Sequence, residues 1–371
     1  MTRPAKRNYS LAVKTSNREF PAPKLDYRPP MPKHYRPKIG LIGCGGITKA
    51  HLDAYRKAGW EVVALCDRVP AAARQRQQEF YPRAELFTDY RQLLARADVE
   101  VVDLALHPEL RVPVIAAALN AGKHVLSQKP FVLDLEAGKR LVALADQHRR
   151  KLAVNQNGRW APYVRYLAQA IQRGLIGDVQ TVAINLNWDH TWIRGTPFES
   201  VHHVVLYDFA IHWFDMAALF FQGRPARSVF AAIAFAPGQQ LKPPMIGSAT
   251  VGFTGGTATL NFDAHSRFGA EESLAITGSL GTLRARGPIC AALDVTLFTQ
   301  RGFARPKLLG QWFNDGFRGA MGELLCAIEE NREPTNSARE NLHSLELCFA
   351  AVKAADTGRV QTPGKVRRLA G

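Results

Sequence analysis

The sequence lacks the features that mark membrane and metal proteins. Its most apolar segment, residues 209–221, is interrupted by His212 and Asp215, whereas a membrane span needs about 18 apolar residues in a row. Five cysteines without a C-x-x-C spacing argue against a disulfide framework and a zinc site. Basic residues and prolines stand where a signal peptide would be apolar. We therefore expect a cytoplasmic protein with reduced thiols, no metal and no membrane partner.

Acidic residues are scarce at both ends, which explains most of the net charge of +16. Residues 1–38 contain ten basic and two acidic side chains, and residues 358–371 contain four basic side chains and no acid. The rest of the chain is nearly neutral, unlike a domain that follows nucleic-acid phosphates, so no nucleic-acid partner is expected. Residues 1–36 are rich in proline and predict an extended basic arm.

The 371 residues are enough for two domains, and the pattern changes near residue 155. Before it, short apolar runs predict strands at 39–42, 61–66, 99–106, 124–127 and 152–154, with helices at 47–58, from 70, at 109–121 and at 134–149. Strands that alternate with helices predict a doubly wound parallel sheet, so residues 37–154 form a dinucleotide-binding Rossmann domain.

Residues 155–371 predict a second α/β domain with an open, largely antiparallel sheet. A helix at 163–173, a strand at 179–187 and a helix around Asp208 come first. Strands are then predicted at 227–236, 248–253, 257–262, 273–277, 281–286 and 293–299, with tight turns between them. Two late helices, at 317–330 and 338–357, are expected to pack back on the body of the chain.

A glycine-rich turn follows the first predicted strand and opens a helix, as in dinucleotide-binding sites. The turn is Gly43, Cys44, Gly45, Gly46 and Ile47. Glycines allow a tight turn and a close approach of the backbone to a diphosphate, which the amides at the helix N-terminus then bind. Asp67, at the end of the next strand, can accept the ribose hydroxyls and favours NAD, whereas Arg68 beside it makes NADP the alternative cofactor.

Two further motifs supply proton-transfer groups. Gln128-Lys129-Pro130 follows a predicted strand, at the sheet edge where open α/β sheets bind ligands. Asp208 and His212 are four residues apart and therefore share one face of a predicted helix. We predict that Lys129, Asp208 and His212 are catalytic, and that His107 and Gln128 line the cofactor site.

These motifs, in this order, resemble the glucose-fructose oxidoreductase / inositol dehydrogenase / MocA family of NAD(P)-dependent oxidoreductases. The similarity runs from about residue 38 to 363 and includes Ala121-Gly122-Lys123-His124-Val125-Leu126, Asn157-Gly158-Arg159-Trp160 and Gly174-Leu175-Ile176-Gly177-Asp178-Val179. It implies that the family's lysine is Lys129 and that its helical aspartate and histidine are Asp208 and His212. It also implies a homodimer or homotetramer joined through the open sheet, with an N-terminal arm that crosses a neighbour.

Substrate contacts are predicted in the first part of the second domain. Trp188 and His190 combine aromatic and polar groups that suit a sugar, and Asn157, Arg159 and Trp160 are expected near the nicotinamide. Two positions depart from the family pattern. His107 lies in Leu106-His107-Pro108, where Thr-Pro-Asn is commoner, and Gln128 stands where glutamate is usual. Losing that carboxylate beside Lys129 predicts that Gln128→Glu raises the pH optimum.

The leading hypothesis is oxidation or reduction of a secondary alcohol on a sugar, cyclitol or related polyol. His212 is expected to accept the hydroxyl proton, Lys129 to stabilise the alkoxide, and Asp208 to orient the substrate or His212. Two alternatives stay open. One is glycoside cleavage by transient oxidation and elimination with NAD regenerated, and the other is a dinucleotide-sensing regulator without catalysis.

Overall fold

Two β-sheets organise residues 17–369, the part of the chain that this computed structural model describes. The strands are β1 Lys38–Ile42, β2 Glu61–Cys66, β3 Glu85–Phe87, β4 Val99–Leu104, β5 His124–Gln128, β6 Leu152–Asn155, β7 Val179–Asn187, β8 Ala226–Ala234, β9 Ile246–Phe253, β10 Gly256–Asp263, β11 Glu271–Gly278, β12 Gly281–Gly287, β13 Asp294–Thr299 and β14 Gly302–Ala304. The helices are α1 Thr48–Ala58, α2 Pro70–Phe80, α3 Tyr90–Leu94, α4 Pro108–Asn120, α5 Leu135–Gln147, α6 Pro162–Gln172, α7 Ile211–Phe220, α8 Trp312–Glu329 and α9 Ala338–Thr357.

The first sheet has the order β3-β2-β1-β4-β5-β6, and all its strands are parallel. Its central strands are buried on both faces because helices cover both, as βαβ crossovers require. The strand order reverses between β1 and β4, and a crevice opens there at the carboxyl ends of the strands. The predicted Rossmann sheet is confirmed, and this edge positions the candidate site.

The second sheet has the order β14-β13-β12-β11-β7-β10-β9-β8. Neighbouring strands are antiparallel except β7 and β10, so the predicted open, largely antiparallel sheet is confirmed. Burial alternates along β7, β9 and β10, as it does in a sheet with one covered face. Helices α7 and α9 pack against this sheet, and α7 carries His212.

The late helices tie the two sheets together. Helix α8 packs against α1, and its apolar side chains join the core beneath the first sheet; they are Phe317, Met321, Leu324 and Leu325. Helix α9 contacts α5, α7 and β8. Both helices therefore pack back on the body of the chain, and together they contact elements of both sheets.

Several short elements differ from the sequence prediction. The strands β3 and β14, with three residues each, and the helix α3, with five, are too short to give a periodic signal. The predicted strand at 99–106 ends at Leu104, and the helix predicted from residue 317 begins at Trp312. The helix around Asp208 begins as a π-helical turn, Val205–Phe209, before α7. Such turns are frequent at functional sites.

Residues 17–36 form no regular helix or strand and lie along their own chain. The Glu329 carboxylate accepts the backbone amides of Lys33, His34 and Tyr35 at 2.8, 2.6 and 2.9 Å. Phe20 donates its amide to the Phe303 carbonyl at 2.9 Å. Residues 1–16 of the predicted arm lie outside the described residues. No helix within residues 17–369 has the length and apolar character of a membrane span.

Candidate active site

The glycine turn lies between β1 and α1, at the reversal of strand order. Gly43 has φ +92°, and a Cβ there would lie 2.6 Å from the Ala105 carbonyl oxygen, so only glycine fits without strain. At Gly45 and Gly46 a Cβ would meet no atom within 4 Å. Within residues 17–369, nothing accepts the amides of Gly45, Gly46 and Ile47. Open space and free amides at a helix N-terminus fit a diphosphate.

Asp67 faces this turn from the end of β2. One carboxylate oxygen accepts the Cys44 amide at 2.7 Å and the other accepts the Val69 amide at 2.8 Å, which leaves further lone pairs for ribose hydroxyls. Arg68, next in the chain, is exposed. The donor set of the turn and Asp67 fits NAD, and these are the residues that would hold it.

Arg76 contacts the glycine turn, which the sequence did not predict. This buried side chain reaches from α2 to the turn, where it donates to the Gly45 carbonyl at 3.3 Å and to the Thr48 hydroxyl at 3.2 Å. The pattern of α2 gave no signal because the contact joins residues 31 apart in the chain. We infer that Arg76 holds the turn in shape.

Lys129 and Asp208 meet at the same edge of the sheet. Lys129 follows β5, and its Nζ donates to the Asp208 carbonyl oxygen at 2.8 Å and to Asp208 Oδ2 at 3.3 Å. Their side chains are 17% and 23% exposed, so a substrate can reach both. The Lys129-Pro130 peptide bond is cis. The structure therefore joins two of the three residues that the sequence predicted as catalytic.

A buried guanidinium shapes the backbone behind Lys129. Arg111, on α4, donates to the carbonyl oxygens of Leu106 at 2.7 Å, of Lys129 at 3.2 Å and of Pro130. Burial lowers the pKa of Arg111 to about 10, so it is a cation at neutral pH. One charge thus fixes the loops after β4 and β5 relative to each other. The sequence gave no sign of this role, because the contacts to Lys129 and Pro130 join residues 18 and 19 apart in the chain.

His212 lies on α7, one turn beyond Asp208, with its ring against two tryptophans. The ring centroids are 6.1 Å from Trp213 and 5.4 Å from Trp312, both edge to face. His212 Nδ1 is buried and has no hydrogen-bond partner in the described chain. Burial, and then the charge of Lys129, lower the pKa of His212 well below its usual range. His212 is therefore neutral at neutral pH.

Gln128 turns its side chain away from the Lys129 amino group. Its Oε1 accepts the backbone amide of Lys129 at 2.8 Å, and its Nε2 lies 3.2 Å from His51 Nε2 under the sheet. These hydrogen bonds of Gln128 do not include the Lys129 amino group. Gln128 acts on the backbone of Lys129 instead. The charge effect behind Gln128→Glu acts through space and stays a prediction.

The aromatic segment after β7 divides into buried and exposed parts. Trp188 is 5% exposed and stacks on Phe209, with ring centroids 4.1 Å apart. It was predicted to offer a sugar-binding face, but in the structure it lies in the core. Trp192 is 60% exposed, and its Nε1 donates to His190 Nδ1 at 3.1 Å; Trp188 Nε1 donates to the same atom at 2.8 Å. His190 Nδ1 is therefore an acceptor, and the ring proton sits on Nε2.

His107 borders the same segment from the first sheet. It precedes α4, is exposed, and its ring centroid lies 5.9 Å from that of Phe198. Phe198 in turn contacts Trp192 at 5.9 Å. These rings connect the crevice of the first sheet with the aromatic segment of the second.

Three predicted substrate residues make structural contacts within the protein: Asn157, Arg159 and Trp160. Arg159 forms a buried two-point ion pair with Asp215, at 2.6 and 2.8 Å, and also donates to the Thr335 carbonyl. The guanidinium of Arg159 thus has a structural role, and its predicted substrate contact stays a prediction. Trp160 is 1% exposed, and the Asn157 Oδ1 accepts Trp312 Nε1 at 2.7 Å. Asn157 thus holds Trp312, whose ring packs against that of His212.

All five cysteines are unpaired. Burial raises the pKa of the Cys44 thiol to about 12 and that of Cys66 to about 11. The Cys44 thiol beside the glycine turn is therefore a buried hydrophobic group at neutral pH and not a nucleophile. Within residues 17–369, no three histidine, cysteine or acidic side chains come together as metal ligands.

Acid should destabilise the fold through His190. Burial lowers its pKa to about 4, below the value of about 6.5 in an unfolded chain. Between these values the unfolded state binds the proton and the folded state does not, so the free energy of unfolding falls as the pH falls. Thermal unfolding from about pH 7.5 to about pH 4.5 should show a flatter decline in His190→Asn, which keeps an acceptor for both indoles. Equal slopes would contradict a neutral buried His190.

Two family models match the chain. Residues 37–156 match the oxidoreductase family with an NAD-binding Rossmann fold, and residues 164–284 match the GFO/IDH/MocA C-terminal domain. The D-apiose dehydrogenase of Paraburkholderia graminis is 26% identical over 87% of this chain and 88% of its own. The inositol 2-dehydrogenase of Rhizobium meliloti is 25% identical over 85% of this chain and 96% of its own.

A solved structure shows the same fold. The oxidoreductase from Agrobacterium radiobacter, in complex with NAD⁺, L-tartaric acid and magnesium, superposes with a TM-score of 0.80 at 20% identity, over 89% of this chain and 99% of that one. Together, the matched models cover more than half of the sequence, the whole first sheet and most of the second. The chain therefore belongs to the GFO/IDH/MocA family of NAD-binding oxidoreductases.

Proposed function

We propose that this protein transfers a hydride between NAD and a secondary alcohol of a sugar, cyclitol or related polyol. The observation that carries the proposal is the Lys129–Asp208 contact, 2.8 and 3.3 Å, at the carboxyl edge of the sheet that bears the glycine turn. When bound, the nicotinamide would accept the hydride from the alcohol carbon, or return it to the ketone. The chain itself must then handle one proton and the charge on one oxygen.

We assign the charge on the oxygen to Lys129 and the proton to His212. The ammonium group of Lys129 stabilises the negative charge that develops on the alcohol oxygen. His212 is unprotonated at neutral pH and accepts the hydroxyl proton; in the reverse direction the Lys129 ammonium group donates a proton to the oxygen. Asp208 contacts Lys129, so we assign it the positioning of the amino group rather than of His212. This refines the role expected from the sequence.

The polyol is proposed from the aromatic segment and from the relatives. Trp192 offers an exposed indole beside His190, and His190 Nε2 has no acceptor among the described residues. An aromatic face with a fixed hydrogen-bond donor suits a ring that bears several hydroxyl groups. The relatives are named for apiose, inositol and 1,5-anhydro-D-fructose, all of them polyhydroxylated compounds.

A panel of aldoses, cyclitols and sugar acids, each with NAD⁺ and with NADP⁺, tests the proposal. We expect at least one polyol to produce reduced nicotinamide at a rate proportional to enzyme concentration, with NAD⁺ preferred because Asp67 repels a 2′-phosphate. Glycosides belong in the panel, because free sugar without reduced nicotinamide would indicate the elimination reaction instead. Dinucleotide binding without turnover of any compound, in either direction, would contradict the proposal.

A further inference from the structure

A buried polar cluster lies under the first sheet, beneath the loop that carries Lys129. Asp103 on β4 and His51 on α1 are both 0% exposed, and His51 Nδ1 donates to Asp103 Oδ2 at 2.7 Å. Tyr55 donates its hydroxyl to the same oxygen at 2.7 Å. A carboxylate without access to water is costly unless such donors compensate it, so the cluster needs an explanation beyond packing.

One member of the cluster reaches the catalytic loop. Gln128 ends β5, and its Oε1 accepts the Lys129 amide at 2.8 Å, which fixes which end of the carboxamide is oxygen. Its Nε2 therefore points to His51 Nε2, at 3.2 Å, and donates to it. Asn155 Nδ2 also lies 3.2 Å from that atom.

The tautomer of His51 follows from these contacts. Nε2 faces the amide donor of Gln128 and so carries the lone pair, whereas Nδ1 carries the proton that Asp103 accepts. The result is a continuous chain of hydrogen bonds from Asp103 through His51 and Gln128 to the backbone of Lys129. His51 lies on α1, the helix that begins directly after the glycine turn.

We propose that Gln128 is a positioning residue that ties the backbone of Lys129 to the buried His51–Asp103 pair, and so to the helix that follows the glycine turn. The proposal rests on the function proposed above and adds how the Lys129 amino group is held at Asp208. A glutamine suits this role because it donates and accepts at once. A glutamate at position 128 would have no proton for His51 Nε2 and would require that ring to gain one.

Double-mutant kinetics test the link. His51→Asn keeps a donor for Asp103 but removes the acceptor for Gln128, and Gln128→Met keeps the shape but breaks both bonds. Each should lower kcat by about tenfold to about a hundredfold, because a displacement of about 1 Å at a reacting group can cost about a hundredfold, while the Kd of NADH stays unchanged. If they break one chain, the double variant should be no slower than either single variant.

Tyr55→Phe is the matched control. It removes the other donor to Asp103 in the same buried cluster, but Tyr55 has no bond to the Gln128–Lys129 step. It should lower Tm and leave kcat per folded molecule unchanged. Multiplicative losses in His51→Asn/Gln128→Met, or an unchanged kcat in Gln128→Met, would overturn the proposal. A merely structural role would lower Tm in all three without a loss of kcat per folded molecule.

Crystal structures of the variants give a readout that does not depend on turnover. In Gln128→Met the Lys129 Nζ should move away from Asp208, lengthening the 2.8 and 3.3 Å contacts, whereas Tyr55→Phe should retain them. Unchanged contacts in Gln128→Met would contradict the positioning role even if the wild-type enzyme acted on no polyol. Inactive wild-type protein with displaced Lys129 in Gln128→Met would instead contradict only the proposed function.

Discussion

Replacing Lys129 by methionine is expected to lower kcat about a hundredfold or more, the scale of a lost acid–base or charge-stabilising group. The substitution keeps the aliphatic stem and removes the ammonium group that contacts the Asp208 carbonyl at 2.8 Å. Asp208 then loses its only ion-pair partner among the described residues, but both side chains are partly exposed, so the fold should tolerate the loss. Steady-state rates of nicotinamide reduction and Tm, measured together, check both expectations.

Lys139→Met is the matched control for this variant. Lys139 is exposed on α5 and pairs with Glu136 at 2.9 Å, three residues away on the same helix. Its replacement also removes one positive charge from the surface and should change neither kcat nor the Kd of NADH. A Lys129→Met enzyme with near-normal turnover would remove Lys129 from the catalytic group and, with it, the main support for the proposed proton handling.

The cofactor side of the site could be predicted from the sequence because its signals are local. The turn from Gly43 to Ile47 joins a strand and a helix that are adjacent in the chain, and Asp67 ends the next strand. Alternation of strands and helices also predicts a parallel sheet with right-handed crossovers. The meeting of Lys129 and Asp208 was inferred from the family resemblance and not from spacing.

The residues that support the site could not be predicted, because their contacts join distant parts of the chain. His51 meets Gln128 across 77 residues, and Arg111 meets Lys129 across 18. The burial of the aromatic side chains after β7 could not be predicted either, although these residues are close together in the sequence. Composition favours Trp188 as a sugar-binding face and does not single out Trp192, whereas in the structure Trp188 is buried against Phe209 and Trp192 is exposed.

Substitutions at two glycines of the turn are expected to have different effects, one on folding and the other on cofactor binding. Gly43 has a left-handed backbone, and a Cβ would lie 2.6 Å from a backbone oxygen, so Gly43→Ala should lower Tm. Gly45 is outside the left-handed region, and a Cβ there would meet no atom within 4 Å. Side chains at Gly45 therefore cost the empty protein little, and they project into the space where the diphosphate is expected.

Gly45→Val should for this reason fold normally and bind NADH about a hundredfold more weakly. The branched side chain would hold the diphosphate away from the amides of Gly45 and Gly46, and losing two hydrogen bonds to a charged group costs about 3 kcal/mol. Titration of NADH fluorescence measures the Kd, and Tm without cofactor serves as the folding control. Wild-type affinity in Gly45→Val would show that the diphosphate does not lie on this turn. A loss of affinity in Gly43→Ala would carry no such information unless its Tm were unchanged, and for that reason the test of the cofactor site falls on Gly45.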